Sequence, residues 1–598
     1  MKAILTAMVL SAVVILACMP RAVYAQYGSG SASDTVWVTP SMGNGSLSDY
    51  IGSDTTSTGA RANPNAIYAL YRDSVYFFTG QINVNGNLTI VAQPGTSTPP
   101  VIAPAVLADG SSPSTFINSD GGNLTMRGLY LLGVPYNSHW LGWGDAVVVN
   151  GDSSDVHVDS CVFDQWSDGA MDSFGSWENF YITNCYFVND IHSSSYFGGH
   201  DWESHGNPVD TLMIVNNTMF NNNSYADVPT GYVKFERFDH NTVCLTQVNP
   251  INDFFGTNDY IENNIFYSTL MVGQQIDEAY AEWYDTIFYK SFAWSASSTV
   301  STDTLGLDPS LAQAFGGTES SRVYKVLNNA YYWPASIQNF WTAYNDTVTK
   351  MVKVSYPDSV VNLNHPPNDT LVDTATVKAI LIPPQGFMNG RTQHMFTDKA
   401  EWPNFISANN DSVDPGFPSF VSSQIDSAIK YVLDIRANAY PNYMWDYTNG
   451  KPLFSWLWPL PELTYSNTSL QHAGTDGYAL GDLNAFPSQL AAWKAAGGMA
   501  LGVTKVPNTI PQSFALSQNY PNPFNPTTDI KVSLRKAGVI SLDVYNVLGQ
   551  LVKVVDQGYK PAGEYIYNVN MDAFASGVYF YRLQQGANSM TRKMLLLK

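Results

Sequence analysis

Three aspartates in the first third of the chain are the residues best suited to chemistry. Asp145 lies in the segment GDAVVV, and Asp168 and Asp172 bound the segment DGAMD. Two carboxylates four residues apart at a strand edge, with a third about one repeat earlier, can converge on a hard cation such as Ca²⁺. The alternative is that these residues form plain Asp-Gly turns, because oxygen-ligand sites are poorly specified by sequence.

A second group of potential ligands lies further along the chain. Four residues within six positions could bind a transition metal: His200, Asp201, Glu203 and His205. Their spacing matches no zinc signature, so the segment is interpreted as a solvated polar loop. A glycosidase would instead need two aspartates as acid and base. The candidates for that role are Asp164, Asp168, Asp172 and Asp190, and their spacing selects none of them over neighbouring acids.

These residues lie within a repeat that covers residues 80–270. Short strands with alternating apolar positions end at residues 131, 163, 187, 220, 244 and 266, at spacings of 32, 24, 33, 24 and 22. A period in the low twenties, with Asn at the turns, is typical of a right-handed parallel β-helix. Each coil stacks on the previous one at about 4.8 Å, so equivalent residues form ladders.

The repeat predicts the members of these ladders. A polar ladder at the bends contains Ser160, Asn184, Asn217, Asn241 and Asn263, and a core ladder contains Phe163, Phe187, Phe220 and Phe266. Cys161 and Cys185 fall on one ladder, close enough for a disulfide in principle. With Cys244 they make an odd number after signal removal, so the preferred interpretation is buried, unpaired thiols.

Residues 80–290 resemble the pectate lyases. The resemblance is carried by GDAVVV, VHVDSCVF, DGAMD and FYITNCYF, which follow the order in which those enzymes place strands and calcium ligands. By that resemblance Asp145, Asp168 and Asp172 would hold Ca²⁺, which would bridge the protein to the carboxylates of polygalacturonate.

The catalytic cations of that family are not clearly present. Those enzymes remove the substrate proton with an Arg in an Arg-x-Pro-x-x-Arg stretch. The corresponding segment here is residues 225–231, with Asp227 in place of the Arg. The expected substrate-binding Lys falls near His192. Lys234 or Arg237 could stand in as the base, although a single cation would leave the substrate's negative charge poorly matched.

The last 87 residues carry a targeting signal rather than residues for an activity. Residues 512–598 contain QNYPNPFNPTT, VYNVLGQLV, AGEY and SGVYFYRL. Short alternating runs broken by Gly and Asn predict a small immunoglobulin-like β-sandwich. The motifs closely resemble the type A C-terminal sorting domain of the bacterial type IX secretion system. The resemblance implies contact with that machinery, export across an outer membrane, and a secreted or outer-membrane-surface protein.

The N-terminus agrees with export. Lys2 precedes an apolar run, and Val23-Tyr24-Ala25 is a small-residue cleavage site, so residues 1–25 are predicted to be a signal peptide. Cys18 offers a lipoprotein signal as the alternative. No other stretch has the length and apolar character of a membrane span.

Composition narrows the range of partners. The formal net charge is −21, and residues 512–598 hold nine basic and five acidic residues, which leaves −25 for the rest. Such a surface repels nucleic acid and anionic membranes, and it disfavours acidic polysaccharide unless cations mediate. Frequent Tyr, Trp and small polar residues suit carbohydrate contact. The candidate exposed aromatics are Trp140, Trp143 and Trp166.

The predicted fold is all-β with helical additions. Its segments are the signal peptide 1–25, a β-helix at 26–290, an aromatic-rich extension and linker at 291–511 with helices at 424–438 and 487–496, and the sorting domain at 512–598. The sequence favours a protein that binds extracellular polysaccharide or serves a structural role at the cell surface. The alternative is a Ca²⁺-dependent polysaccharide lyase of the pectate-lyase kind.

Overall fold

A computed structural model describes most of the chain. The described residues are 35–40, 46–56, 60–135, 144–192, 198–253, 255–271, 298–302, 317–347, 350–355, 372–377, 386–436, 460–496, 498, 504–506, 513–535, 538–560, 563–571, 574–585 and 588–597. The predicted signal peptide lies outside them.

Three long parallel sheets wind into a β-helix. Sheet I has eleven strands: Thr35–Val38, Ile67–Leu70, Leu88–Ala92, Leu124–Arg127, Asp155–Asp159, Asn179–Thr183, Thr211–Val215, Glu236–Asp239, Asn258–Glu262, Val323–Leu327 and Phe405–Ala408. Sheet II has ten: Val75–Phe78, Val101–Pro104, Tyr130–Leu132, Val162–Asp164, Tyr186–Val188, Thr218–Phe220, Thr242–Cys244, Ile265–Tyr267, Ala330–Tyr332 and Asp411–Ser412. Sheet III has six: Ile82–Asn85, Ile117–Gly121, Asp145–Val149, Gly169–Ser173, His200–Ser204 and Val228–Pro229.

The β-helix extends beyond the predicted boundary at residue 290. The parallel pair of Ile251–Asp253 with Val300–Thr302 continues its third side through a bridge from Asp227 to Ile251. A second parallel pair, Tyr232–Val233 with Phe255–Gly256, lies between that side and sheet I. Sheet I then adds Val323–Leu327 and Phe405–Ala408, both in parallel register. The insertions between these later coils are long and hide the repeat in the sequence.

Inward-facing apolar residues form the core of the coils. In the strand Asn179–Thr183, Phe180 and Ile182 are buried while their neighbours are partly exposed, as the period of two requires. The Phe163 and Phe187 rings stack at 5.0 Å, as the predicted core ladder requires. Phe220 is not on that ladder, because Met219 is in register with Phe187. A slip of one residue places Phe220 on the opposite face of the strand.

The predicted polar ladder is in fact two ladders. Residues at the corner between sheets I and II adopt the left-handed conformation: Ser160, Asn184, Asn216, His240, Asn263 and Asn328. The next position in each coil points inward, and there a buried ladder is formed by Asn217, Asn241, Asn264, Asn329 and Asn410. The first ladder shapes the bend, and the second joins consecutive coils.

From Asn241 onward, each amide of the buried ladder bonds the preceding coil at three points. The Asn241 Oδ1 atom accepts from the backbone N–H of Asn217 at 2.9 Å and from its Nδ2 at 3.1 Å. The Asn241 Nδ2 atom donates to the carbonyl of Ile214 at 2.8 Å. Cys161 and Cys185 occupy the same position in earlier coils and are free, buried thiols, as expected.

Helices pack partly against the core of the coils and partly on their outside. The helices are α1 Leu47–Gly52, α2 Ala335–Thr347, α3 Gly390–Thr397, α4 Ser419–Arg436 and α5 Pro487–Ala495, with short 3-10 turns at Glu319–Ser321 and Leu483–Ala485. Helix α4 corresponds to the predicted helix at 424–438, and α5 to that at 487–496. Helices α2 and α4 pack with Phe220, Cys244 and Tyr267 over the outside of sheet II.

The C-terminal part is an antiparallel β-sandwich with its own core, as expected. One sheet contains Thr504–Val506, Gly563–Asn570, Thr527–Leu534 and Ala515–Leu516. The other contains Leu551–Lys560, Gly538–Tyr545, Gly577–Gln585 and Asn588–Leu596. An antiparallel hairpin of Lys350–Ser355 and Val372–Val377 is inserted in the chain between the coil strands Ala330–Tyr332 and Phe405–Ala408.

Removing one amide from the buried ladder should destabilise the whole β-helix. We expect Asn241→Ala to lower the free energy of unfolding by about 2–4 kcal/mol, because it leaves buried backbone groups without partners. The matched control is Asn118→Ala, since Asn118 joins coils through the same side-chain amides but is partly exposed. The control should cost less than about 1 kcal/mol. Equal losses in urea unfolding would contradict the structural role of the buried ladder.

Candidate functional site

The three predicted aspartates meet on sheet III. Asp145 begins the strand Asp145–Val149, Asp172 lies in the adjacent strand Gly169–Ser173, and Asp168 immediately precedes that strand. The Asp145 Oδ1 atom accepts from the backbone N–H of Gly169 at 3.1 Å. One carboxylate oxygen from each aspartate lies within 4.8 Å of the others. The structure therefore brings together the carboxylates that the sequence singled out.

The next strand adds two histidines and a glutamate to this group. His200 is in register with Gly169, and Glu203 is in register with Asp172. The His200 Nε2 atom lies 2.6 Å from Asp172 Oδ1, and His205 Nε2 lies 3.4 Å from the same oxygen. We call these six residues the sheet III cluster: Asp145, Asp168, Asp172, His200, Glu203 and His205.

The prediction of a solvated polar loop at residues 200–205 is wrong. His200–Ser204 is a strand, and His200 is buried because its ring crosses over Gly169 to reach Asp172. A Cβ atom on Gly169 would lie only 2.3 Å from His200 Nε2, so a larger residue there would displace the imidazole. Asp201 faces another way and accepts from Asn222 Nδ2 at 2.6 Å.

Neighbouring charges in the cluster shift its pKa values in opposite directions. Burial and the charge of Asp172 raise the pKa of Asp145 to about 9. Burial also acts to raise the pKa of Asp172, but the charge and hydrogen bond of His200 outweigh it and hold that pKa well below its usual range. Burial opposes protonation of His200, yet Asp172 raises its pKa to about 10. The pair is therefore an imidazolium and a carboxylate, beside a protonated Asp145.

The remaining acids of the cluster hold protons more readily than free carboxyls. Burial raises the pKa of Asp168 to about 6, and burial also raises the pKa of Glu203. Burial opposes protonation of His205, but its hydrogen bond to Asp172 raises its pKa. The cluster therefore contains acids that take up protons at higher pH than free carboxyls do.

The cluster opens to solvent at one edge. The Asp172 and His200 side chains are 4% exposed, whereas the His205 side chain is 32% exposed. The ring of Phe174, which is 45% exposed, stacks in parallel on His205 with 3.9 Å between ring centroids. A ligand could therefore reach the carboxylates past an exposed aromatic face.

The two predicted stand-in bases lie on other parts of the coil. Lys234 forms an ion pair with Asp210, and its Nζ lies 3.9 Å from the centroid of the Trp177 ring. Arg237 belongs to sheet I and pairs with Asp239 of its own strand. The structure therefore does not unite Lys234 and Arg237 with the sheet III cluster.

Two of the predicted substrate-binding residues, Trp166 and His192, are buried, and the predicted exposure of Trp166 is therefore wrong. Trp166 is fully buried in the core, and its Nε1 donates to the carbonyl of Leu131 at 3.1 Å. His192 is also buried, and the Tyr431 hydroxyl from helix α4 approaches its carbonyl at 3.5 Å. Trp140 and Trp143 lie outside the described residues.

Two of the predicted glycosidase acids also belong to the interior. Asp164 accepts from the Tyr130 hydroxyl at 2.5 Å, and Asp190 accepts from the backbone N–H of Trp166 at 2.8 Å. Both side chains are buried, so only Asp168 and Asp172 of that set belong to the sheet III cluster. The other members of the sheet III cluster are brought together by the register of strands in three consecutive coils. The sequence signal that could have revealed them is the alignment of Glu203 with Asp172.

The protonated Asp145 predicts a distinct dependence of stability on pH. Its pKa is about 9 in the folded chain and about 3.9 when unfolded, so the folded state binds the extra proton. In chelator, stability should therefore fall as pH rises between these values, by up to about 1.4 kcal/mol per unit from this group. We expect Asp145→Asn to make the free energy of unfolding decrease less steeply with pH, as measured by urea unfolding between about pH 5 and 8. Asp120→Asn, an exposed change on the adjacent strand, should leave it unchanged; equal slopes in all three proteins would refute the assignment.

Comparison with known proteins identifies the C-terminal sandwich. No curated protein and no solved structure matched the chain, and no β-helix family was matched. Across the described residues, no helix combines the length and apolar character needed to cross a bilayer. Residues 518–597 match the family described as the Secretion system C-terminal sorting domain. The chain therefore ends in a type IX secretion C-terminal sorting domain, which engages that secretion machinery and directs the protein to the cell surface or the medium.

Proposed function

We propose that this exported β-helix binds an acidic extracellular polysaccharide through a divalent cation at the sheet III cluster. The observation that carries the proposal is the convergence of Asp145, Asp168 and Asp172, whose oxygens lie within 4.8 Å of one another. An oxygen-only set of this kind suits Ca²⁺, which accepts several carboxylates in flexible geometry. These three residues would be its ligands, and the cation would attract a carboxylate of the glycan.

The charge of the chain explains why a cation would be needed. Outside residues 512–598 the chain carries −25, so an acidic glycan is repelled unless positive charge intervenes. His200 holds Asp172 in its ionised form, which is the form that binds a cation. Cation binding would also displace the proton of Asp145, so affinity should rise with pH.

The exposed aromatic edge suits the rest of a sugar chain. Phe174 presents an open ring face beside the cluster, and its position is held by the stacked His205 ring. Sugar rings have apolar faces that pack on aromatic rings, while their hydroxyls and carboxylates reach polar groups nearby. Phe174 replaces Trp166 as the aromatic residue that we assign to substrate contact.

Cleavage of the glycan is the second candidate function, and the opposite pKa shifts of Asp145 and Asp172 favour it. Titratable neighbours with separated pKa values are typical of acid–base pairs. In an elimination, a base such as His205 would remove the proton beside the substrate carboxylate, and the glycosidic carbon–oxygen bond would break. Without a cation at the cluster, protonated Asp145 would then return a proton to the leaving oxygen. This scheme assigns no role to Lys234 or Arg237.

Binding can be tested on the full-length chain with polygalacturonate, alginate and a neutral glucan. We expect retention on the acidic glycans in affinity electrophoresis with Ca²⁺, and no retention with chelator or on the glucan. Asp172→Asn should weaken binding by about tenfold or more, which corresponds to about 1.4 kcal/mol. Phe174→Ala should weaken it less, and Asp120→Asn should leave it unchanged. Retention on the acidic glycans that is the same with and without Ca²⁺, and the same in the Asp172→Asn variant, would refute the proposal.

Cleavage is tested in the same mixtures by the ultraviolet absorbance of unsaturated products. We expect any activity to disappear in Asp145→Asn and His205→Gln and to persist in Lys234→Ala and Arg237→Ala, because only the first two residues belong to the cluster. Loss of activity in the Lys234 or Arg237 variant, with binding intact, would instead restore the pectate-lyase mechanism. A flat trace with Ca²⁺-dependent retention would leave binding as the function.

A further inference from the structure

Four carboxylates are enclosed in the interior of the later coils. Asp227, Glu236, Asp253 and Asp259 are each 0% exposed. We call them the interior carboxylate cluster. They share no residue with the sheet III cluster, and the inference drawn from them does not rest on the proposed function.

The cluster interrupts an otherwise apolar ladder of sheet I. Along this ladder Leu212 is followed in register by Glu236, then Asp259, then Tyr324, and finally Phe405. Leu212 and Phe405 belong to the hydrophobic core, which is the usual content of such inward positions. Three consecutive coils therefore place polar groups where the fold elsewhere places hydrocarbon.

The carboxylates converge on one small volume. Single oxygens of Glu236, Asp253 and Asp259 all lie within 4.8 Å of one another. A Cβ atom on Gly256 would lie 2.0 Å from Asp253 Oδ2 and 2.1 Å from Asp259 Oδ2. The two aspartates therefore meet directly over the Gly256 backbone, in space that any other residue would fill.

Hydrogen bonding within the described residues does not account for these groups. None of the eight carboxylate oxygens of the four residues has a hydrogen-bond partner of ordinary geometry there, although all are buried. Burying an ionised carboxylate without partners is very costly, so each must be neutralised by a proton or a cation.

Tyr324 provides an independent sign that a ligand belongs here. Its hydroxyl is fully buried and has no hydrogen-bond partner among the described residues. Tyr324 is in register with Asp259 on the inward-facing ladder, so its side chain lies on the same side of sheet I as that carboxylate. A buried phenol oxygen beside the interior carboxylate cluster is available as a further oxygen ligand for a cation.

The nearby buried arginine cannot balance the charge. Arg322 is fully buried, and its guanidinium donates to the Gly256 carbonyl at 2.6 Å and to Glu319 at 2.9 Å. Its single positive charge is thus shared with a fifth carboxylate. Even if the whole charge of Arg322 is counted, at least three further positive charges or protons are needed to neutralise the four carboxylates.

We propose that the interior carboxylate cluster binds one divalent cation of the Ca²⁺ class and thereby cross-links three coils of the β-helix. Glu236, Asp253 and Asp259 are the carboxylate ligands, with Asp227 and Tyr324 completing the oxygen set. All these donors are oxygens, which selects a hard cation over a thiophilic one. The cation offsets two of the buried negative charges, protons retained on the remaining carboxyls complete the balance, and the cation joins strands that are distant in sequence.

The proposal is tested by the metal content of the full-length chain. The protein is unfolded and refolded in chelator, or refolded with Ca²⁺, and then desalted for elemental analysis and thermal unfolding. We expect Ca²⁺ to raise the Tm of the wild type and to remain bound after desalting. The double variant Glu236→Gln/Asp259→Asn should lose one ion per chain and the Ca²⁺-dependent rise in Tm.

The matched control separates this site from the one in the proposed function. Asp172→Asn should keep the interior ion and its stabilisation, whatever happens at sheet III. Wild-type protein that retains no Ca²⁺ and shows the same Tm in both preparations would overturn the proposal without recourse to any variant. A double variant that is more stable than the wild type, with unchanged metal content, would show that the cluster holds protons instead.

Discussion

The register between stacked coils is the constraint on which the rest of this structure depends. The buried ladder of Asn217, Asn241 and Asn264 joins each coil to the next through side-chain and backbone groups at once. A shift of one residue would break these bonds and turn every core side chain outward. Because the register cannot slip, residues far apart in sequence are held one above another at strand spacing, and every candidate site in the coils is built from such vertical neighbours.

The same stacking produces two acidic clusters with different chemistry. On sheet III, Asp172 and Glu203 are in register and share a histidine pair near solvent, so protons and ligands can exchange. Inside the coil, Glu236 and Asp259 are in register and enclosed, so their charge must be neutralised within the fold. Burial and partner type thus separate a site open to ligands from one suited to a structural cation.

Several predictions from the sequence are wrong because they depend on contacts between residues that are far apart in the chain. Trp166 was expected at the surface as a sugar-binding aromatic, but it fills the core and satisfies its indole N–H internally. His192 was expected near substrate, but helix α4, from a segment more than two hundred residues later, covers it. The ladder containing Phe220 was displaced by one residue, because turns of unequal length hide the register from a count of spacings.

The sequence by itself determined the architecture and the destination of this protein. Alternating apolar positions with a recurrent Asn specify a stacked β-helix because the pattern repeats from coil to coil. The C-terminal motifs specify export because they lie together in one contiguous segment. It also identified Asp145, Asp168 and Asp172, which lie within two adjacent coils. Only the tertiary structure decided that His200 and Glu203 join them and that Asp227 and Glu236 face inward. Those outcomes depend on which strand lies above which, and that order is set by packing across coils rather than by neighbours in sequence.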